Sequence, residues 1–233
     1  MESGLIDGVF WYVVFLFSTV CHEAAHAWVA LKLGDDTAAR GGQVSLNPIP
    51  HVRREIIGMV VMPLISWFSM GWIMGWASAP YNLQWARTWP KRAAVMAIAG
   101  PAANLSLAIL AGWLIRVGLE WNVLASPFNL GPMHLASPVH DGVYYYVARF
   151  LSIAVSLNLL LCVFNLLPIP PLDGSSLPLL LLPKTAAEGY SKALHSPVVR
   201  LIGLFIVLRG IGPLFPMLLR FAAKILYPSL NYG

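Results

Sequence analysis

Long apolar runs separated by short polar stretches set the pattern of this chain. The first run extends from about residue 5 to 31 and stops at Lys32, Gly34, Asp35 and Asp36. Residues 37–54 are polar and rich in Gly and Pro, and the alternation Gln43-Val44-Ser45-Leu46 predicts a short strand. A second apolar stretch, 56–79, is broken by Pro63, Gly71 and Gly75. A basic loop at 80–92 precedes a predicted helix over 93–118. A loop at 119–142 leads to another helix over 143–167, which Pro168-Ile169-Pro170-Pro171 ends. A short segment at 175–197 precedes a last apolar run, 198–227, which Gly210, Gly212, Pro213 and Pro216 interrupt.

Composition turns these runs into membrane segments. Of 233 residues, 58% are hydrophobic and 11% charged, whereas a soluble domain is about half apolar and about a quarter charged. The expectation is an all-α integral membrane protein. It would be a helical bundle of about 4–5 spans, with a re-entrant element and a short β segment near the active site. One polytopic domain would cover 1–233, with a core at about 5–180 and a C-terminal membrane segment at about 198–227. Cys21 and Cys162 lie in apolar runs and suggest no disulfide. Glu2 and Asp7 with no early Lys or Arg are the wrong start for a cleaved signal peptide.

Charge adds topology. The net charge of +5 is modest and sits in short loops, which speaks against nucleic-acid binding. Lys32, Arg40, Arg53, Arg54, Arg87, Lys91, Arg92, Lys184 and Lys192 fall in the loops at 32–55, 80–92 and 169–197. The loop at 119–142 has no Lys or Arg. The positive-inside rule puts the three basic loops on the cytoplasmic side. The stretch 56–79 must then enter and leave on one face, as buried protein permits. Trp67, Trp72, Trp76, Trp85 and Trp89 around it read as interfacial anchors, and Arg116 and Arg149 as snorkelling side chains.

The chemistry sits in the first run as His22-Glu23-Ala24-Ala25-His26. Positions i and i+4 share a helix face, so both imidazoles can address one metal ion, with Glu23 beside it as a proton acceptor. Ionisable groups inside a membrane segment are functional by default. Cys21, one residue before His22, does not share that face. A catalytic zinc takes three protein ligands. Asp173, followed by Gly174 just past a Pro-broken helix, is the best-placed third ligand; His51, His134, His140 and His195 are alternatives. His22 lies about 15 Å from the inner end of its helix, at 1.5 Å per residue. Asp173 can join it only if 56–79 is re-entrant, which agrees with the charge count.

HEAAH at 22–26, GPAAN at 100–104 and FNLLPIPPLDG at 164–174 together resemble the site-2 protease family of intramembrane zinc metalloproteases. The likeness covers most of residues 10–180 and carries no extra soluble module. It implies one zinc ion per chain on His22, His26 and Asp173, Glu23 as general base, and membrane-spanning protein substrates in regulated intramembrane proteolysis. It departs from the family pattern in two places. Asn165 precedes Pro168 by three residues instead of adjoining it, and Ser175-Ser176 follow the Asp-Gly pair. Asn104 and Asn165 are candidates to bind substrate backbone or an oxyanion, or to bond between helices; Asn158 reads as structural. An edge strand near 41–47, or residues 75–79, could hold an extended substrate by strand addition. The expected location is the plasma or inner membrane, with the active site towards the cytoplasm. Two other readings are a zinc hydrolase of signal-derived or lipidated peptides and a metal-binding or transport protein.

Overall fold

The computed structural model describes residues 2–230; residue 1 and residues 231–233, the ends of the expected domain, lie outside them. Four long helices form the frame: α1 (Glu2–Lys32), α6 (Pro90–Glu120), α7 (Val143–Leu166) and α9 (Pro197–Leu226). The short helices α2 (Thr37–Arg40), α3 (Pro48–Arg54), α4 (Met62–Met70), α5 (Leu83–Thr88) and α8 (Lys184–Leu194) lie between them. By length and composition, α1, α6 and α7 can each cross a membrane. Residues 185–194 of α8 and 197–210 of α9 meet at 69° and would supply a fourth crossing if counted as one. The start of α9 packs on the loop after α7, where a Cβ on Gly203 would strike the Pro170 carbonyl. Its far end is held by Arg116, whose guanidinium donates to the Leu226 carbonyl at 2.9 Å. The Tyr227 hydroxyl beyond it donates to the Leu135 carbonyl at 2.8 Å. So α9 runs the height of the bundle.

Packing follows the apolar faces. Trp11, Val14 and Phe15 of α1 meet Ile153 and Leu157 of α7. Ile115 of α6, Val155 of α7 and Ala223 of α9 form a second core, on another face of α7. Leu5, Val9, Val13 and Phe17 on α1, Ile109 and Trp113 on α6, and Leu201 and Phe205 on α9 face outward. Large outward apolar side chains suit a lipid solvent and not water.

The stretch 56–79 turns back on itself. A π-helical turn, Ile57–Val61, continues into α4, giving about 21 Å of helix at 1.5 Å per residue, short of the ~30 Å hydrocarbon core. Gly71, at φ 72°, reverses the chain after α4, and residues 73–82 return without regular structure. The Trp76 amide donates to the Gly58 carbonyl at 3.1 Å, and the Met74 amide donates to Ser66 Oγ at 2.8 Å. The two arms touch because neither Gly58 nor Gly75 has a Cβ: one on Gly58 would strike the Trp76 carbonyl, and one on Gly75 the Gly58 carbonyl. The returning arm ends beside the foot of α1, where the Asn82 amide donates to Asp35 at 2.8 Å. The hairpin therefore leaves from and returns to one end of the bundle.

Several local expectations are corrected. Residues 44–46 form bends between α2 and α3, because the Asn47 side chain accepts from the Ile49 amide and starts α3 instead of extending a strand. The two strands present, β1 (Leu124–Ala125) and β2 (Ser137–Pro138), pair antiparallel in the loop after α6. Trp85 is 9% exposed, and its indole N–H donates to the Leu33 carbonyl at the end of α1, so it caps a helix instead of anchoring at an interface. Arg149 pairs with Asp7 at 3.5 Å, and Arg116 caps α9; neither reaches simply for water.

Candidate metal centre

His22 and His26 stand one turn apart on the buried face of α1, at 7% and 6% exposure. Asp173 arrives from the other half of the chain. After α7, residues 167–172 fold under the bundle, and a 3₁₀ helix, Asp173–Leu180, packs on α6. Its entry is tight. The Leu172 carbonyl accepts from the Ser175 amide at 3.1 Å and from its hydroxyl at 2.6 Å. A Cβ on Gly174 would strike the Leu166 and Leu167 carbonyls. Gly174 thus lets the turn seat close enough to aim Asp173 upward.

The three side chains converge. His22 Nε2 lies 3.0 Å from His26 Nε2 and 3.0 Å from Asp173 Oδ2; His26 Nε2 lies 3.3 Å from the same oxygen. All three atoms fall within 4.8 Å of one another, the one such grouping of His, Cys, Asp and Glu among the described residues. His26 Nδ1 faces the Met96 carbonyl at 2.8 Å, and His22 Nδ1 faces the Asn104 amide oxygen at 2.5 Å. Carbonyl oxygens only accept, so each Nδ1 carries the hydrogen. Each neutral ring then turns a bare Nε2 lone pair inward, towards the other ring and a carboxylate. Such a set repels itself unless a cation sits among its members, and two imidazoles with one carboxylate are a zinc donor set. The residues present therefore fit a zinc ion.

Room for the set comes from α6. A Cβ on Gly100 would strike both His22 Nε2 and His26 Nε2, so the absence of a side chain there clears the space beside the two nitrogens. Its place in GPAAN at 100–104, beside HEAAH in the motif set, was the available signal for Gly100.

The other candidates separate. Glu23 is 6% exposed and makes no hydrogen bond within the described residues, so its carboxylate is uncommitted. Asn104 is fully buried behind His22. Its amide hydrogens go to Asn158 Oδ1 at 2.9 Å and the Ser18 carbonyl at 3.4 Å, leaving none for a substrate oxygen. Asn165 lies half-buried in the last turn of α7, with no hydrogen bond from its side chain among the described residues. His51 is 1% exposed, with Nε2 against the Ser45 carbonyl, so it does not line an entrance. His195 accepts from the Tyr81 hydroxyl at 3.3 Å. Neither His134 nor His140 joins the cluster, and Cys21 and Cys162 are free thiols outside it.

Comparison with known proteins agrees with this geometry. Residues 10–209 match the model of Peptidase family M50. The chain is 34% identical over 208 residues to the "Putative zinc metalloprotease YwhC" of Bacillus subtilis, covering 88% of this chain and 84% of that protein. It is 31% identical over 170 residues to the "Putative zinc metalloprotease Rip2" of Mycolicibacterium smegmatis, and 34% identical to that of Mycobacterium tuberculosis. Both matches cover 72% of this chain, which spans 56% of each Rip2. No solved structure matches the chain. The chain belongs to Peptidase family M50, the site-2 protease family of intramembrane zinc metalloproteases.

Proposed function

We propose that the chain hydrolyses peptide bonds of membrane-spanning protein substrates, with one zinc ion held by His22, His26 and Asp173 and with Glu23 as general base. The convergence of the two Nε2 atoms and the Asp173 carboxylate from opposite halves of the chain carries this reading. Zinc held there would supply a Lewis acid that polarises the scissile carbonyl and acidifies the attacking water. Glu23, next to His22 on α1 and without a competing hydrogen bond, takes the proton from that water and delivers it to the leaving amine. Asn165, with an uncommitted side-chain amide, is the remaining donor for the developing oxyanion.

A transmembrane helix hides its carbonyls in its own hydrogen bonds, so the substrate must present an extended stretch. Residues 75–79, on the returning arm of the hairpin, can receive it. The amides of Ala77, Ser78 and Ala79 have no partner within the described residues, and the segment is at least partly exposed. The stretch 41–47 is bent and offers no such edge. A proline scan through the substrate tests this directly: cleavage should fall where proline removes a pairing amide, and unchanged cleavage throughout would sink strand addition.

The basic loops around Lys32, Arg40, Arg53, Arg87 and Arg92 support a cytoplasmic opening in a plasma or inner membrane. E23Q with a transmembrane test substrate checks the enzymatic reading. Retained zinc with cleavage reduced by about a thousandfold or more is expected, since both the proton transfer and the water's orientation are lost. Normal function in E23Q would favour a metal-binding or transport protein.

A further inference from the structure

The two histidines present their Nε2 atoms by different means. His26 is fixed directly, because Met96 offers its Nδ1 a backbone carbonyl at 2.8 Å. His22 faces a side-chain amide, Asn104, which could in principle turn either its oxygen or its nitrogen to the ring. What decides the orientation lies two residues further back. The Asn158 Nδ2 group donates to Ser18 Oγ at 2.8 Å and to the Ala154 carbonyl at 2.9 Å. The Ala154 carbonyl only accepts, so this atom of Asn158 must be its nitrogen. Asn158 Oδ1 is then forced towards Asn104, at 2.9 Å, and can only accept. Asn104 must turn its nitrogen to Asn158, where the Ser18 carbonyl also receives it, and its oxygen to His22. The chain of amides spans α1, α6 and α7, and its ends are backbone carbonyls, which cannot flip. Asn104, Asn158 and Ser18 are buried at 0%, 2% and 1% exposure, so water does not compete.

We propose that Asn104 and Asn158, acting in series, are positioning residues. They lock His22 with hydrogen on Nδ1, so that its Nε2 lone pair is always aimed into the metal site. Asn158 makes no hydrogen bond to His22, and acts through Asn104. The proposal rests on the reading of His22 as a metal ligand. Partners that orient a ligating histidine from behind typically change metal affinity about 10–100-fold when removed.

The test uses full-length protein labelled with ¹⁵N in histidine, with zinc bound, and measures two quantities. One is the His22 Nδ1–H resonance, assigned by its loss in H22A. The other is zinc affinity by competition with a chelator. Wild type should show a slowly exchanging, strongly downfield Nδ1–H. N104D keeps an acceptor towards the ring but sets an oxygen against Asn158 Oδ1 and the Ser18 carbonyl, so it should keep that resonance at a lower melting temperature. N104L should lose the resonance and bind zinc about 10–100-fold more weakly, and N158L should move in the same direction with every group at the cleft intact. A merely structural role would lower the melting temperature of N104D and N104L alike and leave the resonance in place. If N104L does not accumulate, N158L carries the test alone. An unchanged Nδ1–H and zinc affinity in N158L overturns the relay, whereas full zinc binding in H22A overturns the reading of the metal site itself.

Discussion

At the level of single residues, the site is made as much by what is missing as by what is present. Gly100 illustrates this, since a Cβ there would strike His22 Nε2 and His26 Nε2. G100A should bind zinc at least tenfold more weakly than wild type while keeping its helical circular dichroism. Chelator competition checks this, and wild-type affinity would show that the ligands have slack to move. Asp35 is a second case, outside the membrane segments. Burial pushes its carboxyl up, but hydrogen bonds from the Thr37 hydroxyl, the Asn82 amide and the Thr37 amide, with Arg40 nearby, outweigh it and leave the group below its usual value. A depressed carboxyl stabilises the fold fully above its unfolded value of about 3.8. That contribution disappears as pH falls through the lower, folded value. The melting temperature of wild type should therefore drop below about pH 4. D35N should be less stable at pH 7, by about 1–3 kcal/mol, and flatter across that acid range. Equal acid sensitivity in both proteins would contradict this role.

At the level of elements, α1 carried its chemistry openly. HEAAH in an apolar run places two histidines on one face with no tertiary information, and the Asp-Gly after a proline stop pointed to Asp173. The partners of Asn104 were not legible. An asparagine in an apolar helix signals only a need for partners, and which partners it finds depends on how α1, α6 and α7 are turned against one another. Gln43–Leu46 misled for a related reason: alternation suggests a strand, but a four-residue stretch without a partner strand is overruled by the Asn47 cap and the following Pro48. The hairpin at 57–82 was legible from Pro63, Gly71, Gly75 and the charge balance. The contact that closes it, Trp76 against Gly58, was not. Replacing Gly58 with Val should open the hairpin, because a Cβ there strikes the Trp76 carbonyl. Increased proteolysis between 71 and 82 is expected, and wild-type resistance would show that the arms close without this contact.

Across the whole molecule, the arrangement brings residues 151 positions apart in sequence, His22 and Asp173, to hydrogen-bond distance. It does so because an even count of crossings separates them: α6 leaves the end where α1 finishes, α7 returns to it, and the hairpin adds none. Membrane-impermeant thiol reagents can check this in a protein freed of Cys21 and Cys162. A cysteine at Asp36, an exposed position beyond α1, should react only from the cytoplasmic side. One at Phe128, in the loop after α6 and 96% exposed, should react only from the opposite side. One at Phe68, near the turn of the hairpin and 81% exposed where lipid would surround it, should react from neither. Labelling of the last from the side opposite Asp36 would make 57–82 a full crossing.

The measurement that bears most directly on the central claim is the zinc content of purified protein, taken for wild type, H22A, H26A, D173A and E23Q, with cleavage of a transmembrane test substrate on the same samples. About one zinc per chain is expected in wild type and E23Q, with loss of zinc in the other three and cleavage in wild type alone. Zinc retained at wild-type level in D173A would contradict the claim, because the third ligand, and with it the closure of the two halves of the chain around one ion, would lie elsewhere.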